Sequence, residues 1–388
     1  MKQLILKSGK EKPIRHRHHW IFSGAIQSLP PGDDGEIVQV VSATGDLLGH
    51  AYVNRRTSIV GRMINFGSGD PEAAIRKSID RAIHCRESLF DTTVTNAYRL
   101  IHGEGDGIPG LTVDRYDDVL VIQVLTLGIE RLKPMIIEHL KERLKPRCIY
   151  EKSKLPGRKE EGLPEKESLL WGSDTDEIEI LELGHRFLVS VHRGQKTGFF
   201  LDQREMRRLV GIHAKGKRVL NCFGYTGGYS VYALHGGATA VDTVDISNDA
   251  IALAVRNSIV NGFSDDRHRG ITADAFEYLR TDPLHYELII LDPPAFAKKK
   301  TDVVSACRGY KDINRLAMEK MPPGSLLVTS SCSYHVDEKL FQTVVFQAAL
   351  EAKRDVRIIS RHAQAADHPV NIYHPEGEYL KSLVLFVE

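Results

Sequence analysis

Five segments in the second half of the chain run from apolar residues into a residue that can do chemistry. "RVLNCFGYTGGYS" leads into a turn with Gly224, Gly227 and Gly228; "AVDTVDIS" reaches Asp245, "GITADAF" Asp274, "YELIILDPPAF" Asp292 and "SLLVTSSCSYH" Cys332. Glycines at such a turn let the backbone bend tightly and come close to a ligand. An acid closing the second strand of such a series commonly accepts hydrogen bonds from both hydroxyls of a ribose. The loop reads G-Y-T-G-G, not the G-x-G-x-x-G that seats a pyrophosphate on a helix N-terminus. A nucleoside without that pyrophosphate therefore fits better than a nicotinamide dinucleotide. Any one of these acids could be an ordinary helix cap; several in series point to a site.

The remaining segment ends on a thiol, which acts as a nucleophile once it is a thiolate. Isolated cysteines are more often small buried hydrophobes. Leu326 to Thr329 reads as a short strand and the Ser/Cys/Ser cluster as the loop at its end, so Ser330, Ser331 and Ser333 argue against a core position for Cys332. Cys222 lies inside the glycine-rich loop and is expected to face inward, while Cys85, Cys148 and Cys307 are structural or incidental. Scattered cysteines with neither a CxxC pair nor a disulfide framework suit a reducing compartment, and no metal centre is expected.

The elements that must present these residues alternate strand and helix after a hairpin in "EIEILELGHRFLVSV". That alternation predicts a doubly wound, mainly parallel α/β sheet over residues 191–388, with ligands beyond the carboxyl ends of its strands. A chain of 388 residues has room for further domains in front. Residues 1–70 read as short strands with turns between them, "GEIVQVVS", "LLGHAYV" and "SIVGRMI", a small β-rich module. Residues 71–190 mix α and β. Asp70 caps a helix with Pro71 in its first turn, strands follow in "LTVDRY" and "VLVIQVL", and a helix near "IERLKPMIIEHLKERL" is interrupted or started at Pro134. The charged segment "KLPGRKEEGLPEKE" is expected to be a mobile loop.

Net charge is close to zero, yet in the first twenty residues Lys2, Lys7, Lys10, Lys12, Arg15 and Arg17 oppose only Glu11, beside His16, His18, His19 and Trp20. Cations interleaved with an aromatic attract a phosphate backbone. No apolar run approaches the length of a membrane span and "MKQLILKSGKEK" lacks the features of a signal peptide, so no membrane partner and a cytoplasmic location are expected.

Taken together, "VLNCFGYTGGYS", "VDIS", "ADAF", "LDPPAF" and "SSCSYH" resemble the class I S-adenosylmethionine-dependent methyltransferases, and among them the bacterial RlmI-type 23S rRNA 5-methylcytosine methyltransferases. "LKSGKEKPIRHRHHWIFSGAI" is similar to the start of that family's PUA-like RNA-binding domain. "YRLIHGEGDGIPGLTVDRYDD" is similar to its middle domain, and "GFFLDQREMRRL" to the lead into its Rossmann-like catalytic domain. The resemblance implies S-adenosyl-L-methionine as cofactor, with Asn221, Phe223, Tyr225 and Gly227 lining its methionine end, Asp245 on the ribose and Asp274 near the adenine. Ser247 and Ala275 count among the cofactor residues, and Gln203 and Arg204 are expected to close over the pocket. Asn221 stands where an aspartate is expected, so contact there should be weakened or rearranged and binding not lost.

The same resemblance implies that Cys332 adds to carbon 6 of a cytosine, making carbon 5 nucleophilic enough to take a methyl group, with Asp292 as base or as the group that orients the cytosine. Ala295 and Phe296 stand where some such enzymes carry a second cysteine that helps release product. Phe296 is a candidate stacking partner for the base. Lys298 to Lys300, with Arg308, Tyr310 and Lys311 beyond, form a candidate phosphate-binding rim. The partner implied is 23S rRNA or a large-subunit precursor, with a homodimer left open. Two other readings compete. A purine N-methyltransferase could use the acid-Pro-Pro loop and an aromatic without any thiol, and a non-catalytic RNA-binding protein could keep the large domain as a platform.

Overall fold

In a computed structural model of the protein, residues 1–388 are described and divide into two compact units. One comprises Met1–Leu181, Val189–Leu201 and Ala366–Gly377; the other comprises Glu182–Leu188, Asp202–Ala365 and Glu378–Glu388.

The first unit opens with β1 (Gln3–Leu6), the helical turn α1 (Lys12–Arg15), β2 (Trp20–Phe22), β3 (Ile26–Ser28), β4 (Ile37–Val41), β5 (Leu47–Val53) and β6 (Ile59–Phe66). These strands make a six-stranded sheet in the order β2-β6-β5-β4-β1-β3. Helix α2 (Pro71–Leu89) starts as its sequence implies: Pro71 is the first helical residue and the Asp70 carboxylate accepts the Ala73 N–H at 2.7 Å. Then come β7 (Ala97–His102), β8 (Leu111–Tyr116), β9 (Val119–Val124), α3 (Leu127–Leu144), β10 (Cys148–Ser153), α4 (Gly157–Glu160) and β11 (Lys166–Gly172), with the strands in a second sheet ordered β11-β10-β9-β8-β7. Tyr52 and Ile64 of the first sheet share one apolar cluster with Ile75 and Ile79 of α2 and Val113 and Ile122 of the second sheet. Residues on both sides of position 70 thus build a common core.

Two expectations here are corrected. Helix α3 runs unbroken through Pro134. A proline removes one backbone donor, but Ile129, Leu132, Ile136 and Leu140 on either side are buried in the same cluster and hold the helix together. The charged segment after β10 is not a loose loop. Arg158 is buried and donates to the carbonyls of Val124 and, at 2.7 Å, Pro164. Glu161, also buried, takes Arg62 at 2.7 Å and the Asn54 amide at 2.7 Å. Charges meant for water by composition are here paired inside.

A hairpin of β12 (Glu177–Glu182) and β13 (His185–Ser190) precedes the second unit's main sheet. Its elements are α5 (Arg204–His213), β14 (Arg218–Cys222), α6 (Gly228–His235), β15 (Ala240–Asp245), α7 (Asn248–Val260), β16 (His268–Thr272), α8 (Ala275–Thr281), β17 (Leu288–Leu291), α9 (Val303–Lys320), β18 (Ser325–Ser331), α10 (Glu338–Ala352), β19 (Val356–His362) and β20 (Lys381–Val387). The strand order is β16-β15-β14-β17-β18-β20-β19, parallel through β18, with β20 antiparallel to both its neighbours. Alternate residues enter opposite cores, as the two-residue period of a strand requires. Leu220, Ile289 and Leu327 face Ile313 of α9 and Phe341 of α10, whereas Val219, Ile290 and Val328 face Met206 and Val210 of α5 and Ala233 of α6. This is the predicted doubly wound sheet.

Candidate active site

Strand order reverses beside β14: β15 and β16 are added on one side, β17 and β18 on the other. In such sheets the crevice beyond the carboxyl ends at the reversal takes the ligand. Cys222 pairs with Leu291 and Leu291 with Thr329, so the loops carrying Phe223 and Asp292, and β18 leading to Cys332, emerge side by side.

The loop after β14 departs from ordinary backbone geometry. Phe223 and Tyr225 both have positive φ, 58° and 45°, and Gly227 has φ 78°. For a side-chain-bearing residue this costs roughly 1–2 kcal/mol. Gly224 is required for space, since a Cβ there would lie 2.4 Å from Thr243 Cγ2. What holds the loop is Asp245, whose carboxylate accepts the Tyr225 N–H on one oxygen and the Ser247 N–H on the other, both at 2.9 Å. Each oxygen keeps a lone pair for a further donor, so a pair of ribose hydroxyls fits this carboxylate.

Asn221 is buried, and its amide nitrogen donates to Ser230 Oγ at 2.9 Å. The chain continues from Ser230 to Thr243 at 2.6 Å and from Thr243 to His268 at 2.7 Å. Burial holds His268 neutral, its pKa lowered to about 4. The chain fixes the amide so that Oδ1 is left as a buried acceptor without a partner, and Gln203 Oε1 is a second. Orphaned acceptors of this kind fit the α-ammonium of a methionine moiety.

Other expected cofactor residues are placed as follows. Asp274 caps α8, accepting the Glu277 N–H at 3.0 Å, and Ser247 caps α7, accepting the Ala250 N–H at 3.2 Å. Ala275 is buried in the first turn of α8. Capping does not exhaust a carboxylate's acceptors, so Asp274 can serve both ends. Gln203 reaches the site, donating to Asp292 Oδ1 at 2.9 Å. Arg204, expected to close over the same pocket, is enclosed by protein. It is fully buried with Nε 3.3 Å from Glu182, which also takes Arg207 at 2.7 and 2.6 Å. A buried carboxylate needs such cations.

On the substrate side, Cys332 is the first residue beyond β18 and is partly exposed, while burial pushes the Cys222 thiol far up and out of use. The serines contradict the sequence argument even though the thiol stays accessible. Ser330 and Ser331 belong to the strand, and all three are buried: Ser330 bonds Ser382 at 2.8 Å, and Ser333 Oγ takes the Ala297 N–H at 3.1 Å and meets the Tyr310 hydroxyl at 2.9 Å. Tyr310 is accordingly a core residue and not part of a phosphate rim. Phe296 packs on it, with ring centroids 4.6 Å apart, and also on Phe276 at 6.0 Å. Lys298 to Lys300 are exposed, whereas Lys311 is held by Glu351 at 2.5 Å. Sequence reasoning missed Lys381, a buried cation whose only signal is its place at the head of the apolar run "SLVLFV".

The chain is 42% identical to the ribosomal RNA large subunit methyltransferase I of Shewanella denitrificans and 40% identical to that of Aeromonas hydrophila, each match covering 98% of both chains. A family model for S-adenosylmethionine-dependent methyltransferases matches residues 162–352, and one for PUA-like domains matches residues 4–66. Two solved structures, a candidate SAM-dependent methyltransferase from Streptococcus mutans and a candidate methyltransferase complexed with SAH, align over all of both chains at 26% identity with TM-scores of 0.85 and 0.86. Full-length likeness at this identity, in a chain whose strand-end carboxylate fixes a glycine-rich loop, leads to one conclusion: the chain belongs to the ribosomal RNA large subunit methyltransferase I family and is an S-adenosylmethionine-dependent methyltransferase.

Proposed function

We propose that the protein methylates carbon 5 of a cytosine in 23S rRNA through a covalent bond between Cys332 and carbon 6. The observation that carries this reading is the accessible thiol one residue beyond β18, in the row of strand ends that also holds Asp245 and Asp292. Thiolate addition to carbon 6 breaks the ring double bond and leaves its electron pair on carbon 5. When bound, S-adenosylmethionine supplies an electrophilic methyl group for that pair. Asp292 then takes the carbon 5 proton, and the electrons of that C–H bond restore the double bond as the sulfur leaves. Gln203, bonded to Asp292, holds the carboxylate in place.

The names of the relatives support large-subunit RNA as substrate, and a cytoplasmic location is in keeping with such a substrate. RNA docking by the N-terminal sheet is supported by exposed Lys10, Lys12 and Arg17. Trp20 is committed in part, since its indole N–H donates to Glu104 at 2.8 Å.

The test is substitution of the thiol. Cys332→Ala should abolish methylation of unmodified 23S rRNA while cofactor binding persists, and wild-type enzyme should form a denaturation-resistant adduct with RNA carrying 5-fluorocytosine, whose fluorine cannot leave as a proton. Purine N-methylation predicts neither result. Retained turnover in folded Cys332→Ala protein would move the assignment to that reading.

A further inference from the structure

Lys381 is the only charged side chain in β20 and is 8% exposed. Its Nζ donates to the Ser333 carbonyl at 2.7 Å and to the Tyr379 carbonyl at 2.8 Å, and no carboxylate bonds to it. Two neutral carbonyls satisfy donors but do not cancel a charge, and a buried ammonium without an anion is costly. The groups facing it are Cys332, Asp337 and Glu378. Asp337 and Glu378 are exposed, so water screens them, and the Asp337 side chain already caps α10 by accepting the Leu340 N–H at 2.8 Å.

Cys332 is different, because the ammonium is anchored on both sides of it. In the β18/β20 register Lys381 stands opposite Ser331, one residue before the cysteine, and its Nζ bonds the carbonyl of Ser333, one residue after. Tyr310 also faces Cys332, but burial keeps its hydroxyl protonated. Of the groups facing this buried cation, Cys332 alone lies between its two anchors.

We propose that Lys381 is a positioning residue that holds Cys332 as its thiolate and stabilises that thiolate again when it leaves. The inference rests on the nucleophile reading given above. The Cys332 proton goes to solvent, the sulfur pair forms the bond to carbon 6, and after loss of the carbon 5 proton that bond breaks with its pair returning to sulfur. Lys381 exchanges no proton in either step; it lowers the energy of sulfur's anion at the start and at the end. The second role suits a loop in which Ala295 and Phe296 follow Pro294 and no second cysteine assists release. Burial pushes the Lys381 ammonium below its ordinary pKa, and the attraction of Cys332 opposes that push, as a functional pair requires.

The test uses the full-length protein and iodoacetamide. Alkylation of Cys332 is followed against pH by mass spectrometry of its peptide, which separates it from the exposed Cys85 and the partly exposed Cys307. Wild-type Cys332 should titrate below the ordinary thiol value of about 8.5. Lys381→Met should move the midpoint up by about one unit, slowing alkylation near neutrality about tenfold, with S-adenosylmethionine affinity unchanged, and Lys381→Arg should restore most of the reactivity. Superimposable wild-type and Lys381→Met profiles overturn the proposal. So does a wild-type thiol titrating at or above the ordinary value, a result that decides even if the methionine variant does not fold. Alkylation involves no RNA, so this outcome is independent of whether Cys332→Ala loses methylation.

Discussion

Asp245 couples two tasks that sequence inspection treats separately. It accepts backbone N–H groups from Tyr225 and Ser247, and so fixes a loop whose Phe223 and Tyr225 sit in the left-handed region, while each oxygen keeps a lone pair that would take a ribose hydroxyl under the proposed cofactor placement. Hydrogen bonds to a charged acceptor are worth about 1.5–3 kcal/mol. Asp245→Ala should therefore weaken S-adenosylmethionine binding by about tenfold or more in titration calorimetry, the loop's relaxation adding to the lost ribose contacts; an unchanged affinity would remove Asp245 from the site. Asn221 follows a similar logic. Held by Ser230, its carbonyl oxygen is left as a buried acceptor, so a neutral amide can still receive a donor where an aspartate was expected.

At the scale of elements, the first sheet invites a test by truncation at residue 70, and the shared core argues against it. Removing that sheet would strip Tyr52 and Ile64 from the cluster they form with α2 and β8, so lost activity would report misfolding. Charge substitution is the cleaner experiment. Lys2 is paired with Glu36 and Arg15 with Asp46, both at 2.8 Å, and Lys7 donates to the Gly24 carbonyl at 3.1 Å, which leaves Lys10, Lys12 and Arg17 as the better phosphate contacts. Replacing these three by glutamate should raise KM for long RNA at low salt by about tenfold or more and flatten the salt dependence of binding by up to about 3 in log–log slope. Cofactor affinity should not change. An unaltered salt slope would exclude the segment from RNA docking.

For the whole molecule, histidine burial sets a limit on acid tolerance. His19, His185 and His268 all have pKa values lowered to about 4, with burial as the largest cause. Since the unfolded value is near 6.5, the unfolded chain binds more protons between pH 6.5 and 4, and stability falls as pH is lowered through that window. Each pKa unit is worth about 1.4 kcal/mol, so His19 and His268 should each remove up to about 3 kcal/mol, and the less buried His185 should remove less. Urea midpoints should drop on going from pH 7 to pH 4.5. His268→Gln should blunt that drop while preserving a donor or acceptor toward Thr243, and an unchanged pH dependence in that variant would remove His268 from the account.

How much of this was legible in advance follows from the range of the forces involved. Strand and helix alternation, the glycine loop, the strand-end acids and the cap at Asp70 are local in sequence, so periodicity and residue type determined them, and the doubly wound sheet with them. The fate of charges and polar groups far apart in sequence was not local. Arg158 and Glu161 read as part of a mobile loop but are buried with partners up to about a hundred residues away, and Arg204 is enclosed beside Glu182, a partner the local sequence does not name. The serines around Cys332 pointed to exposure for a mistaken reason: they are buried because Ser382, Ala297 and Tyr310 satisfy them, and the thiol is accessible because β18 ends one residue earlier. Lys381 is the sharpest case. Nothing in "EYLKSL" says which anion it faces; only antiparallel pairing of β20 with β18, across fifty residues of intervening chain, sets the ammonium beside the thiol. Local pattern chose the elements, and long-range pairing of buried polar groups chose which residues could work together.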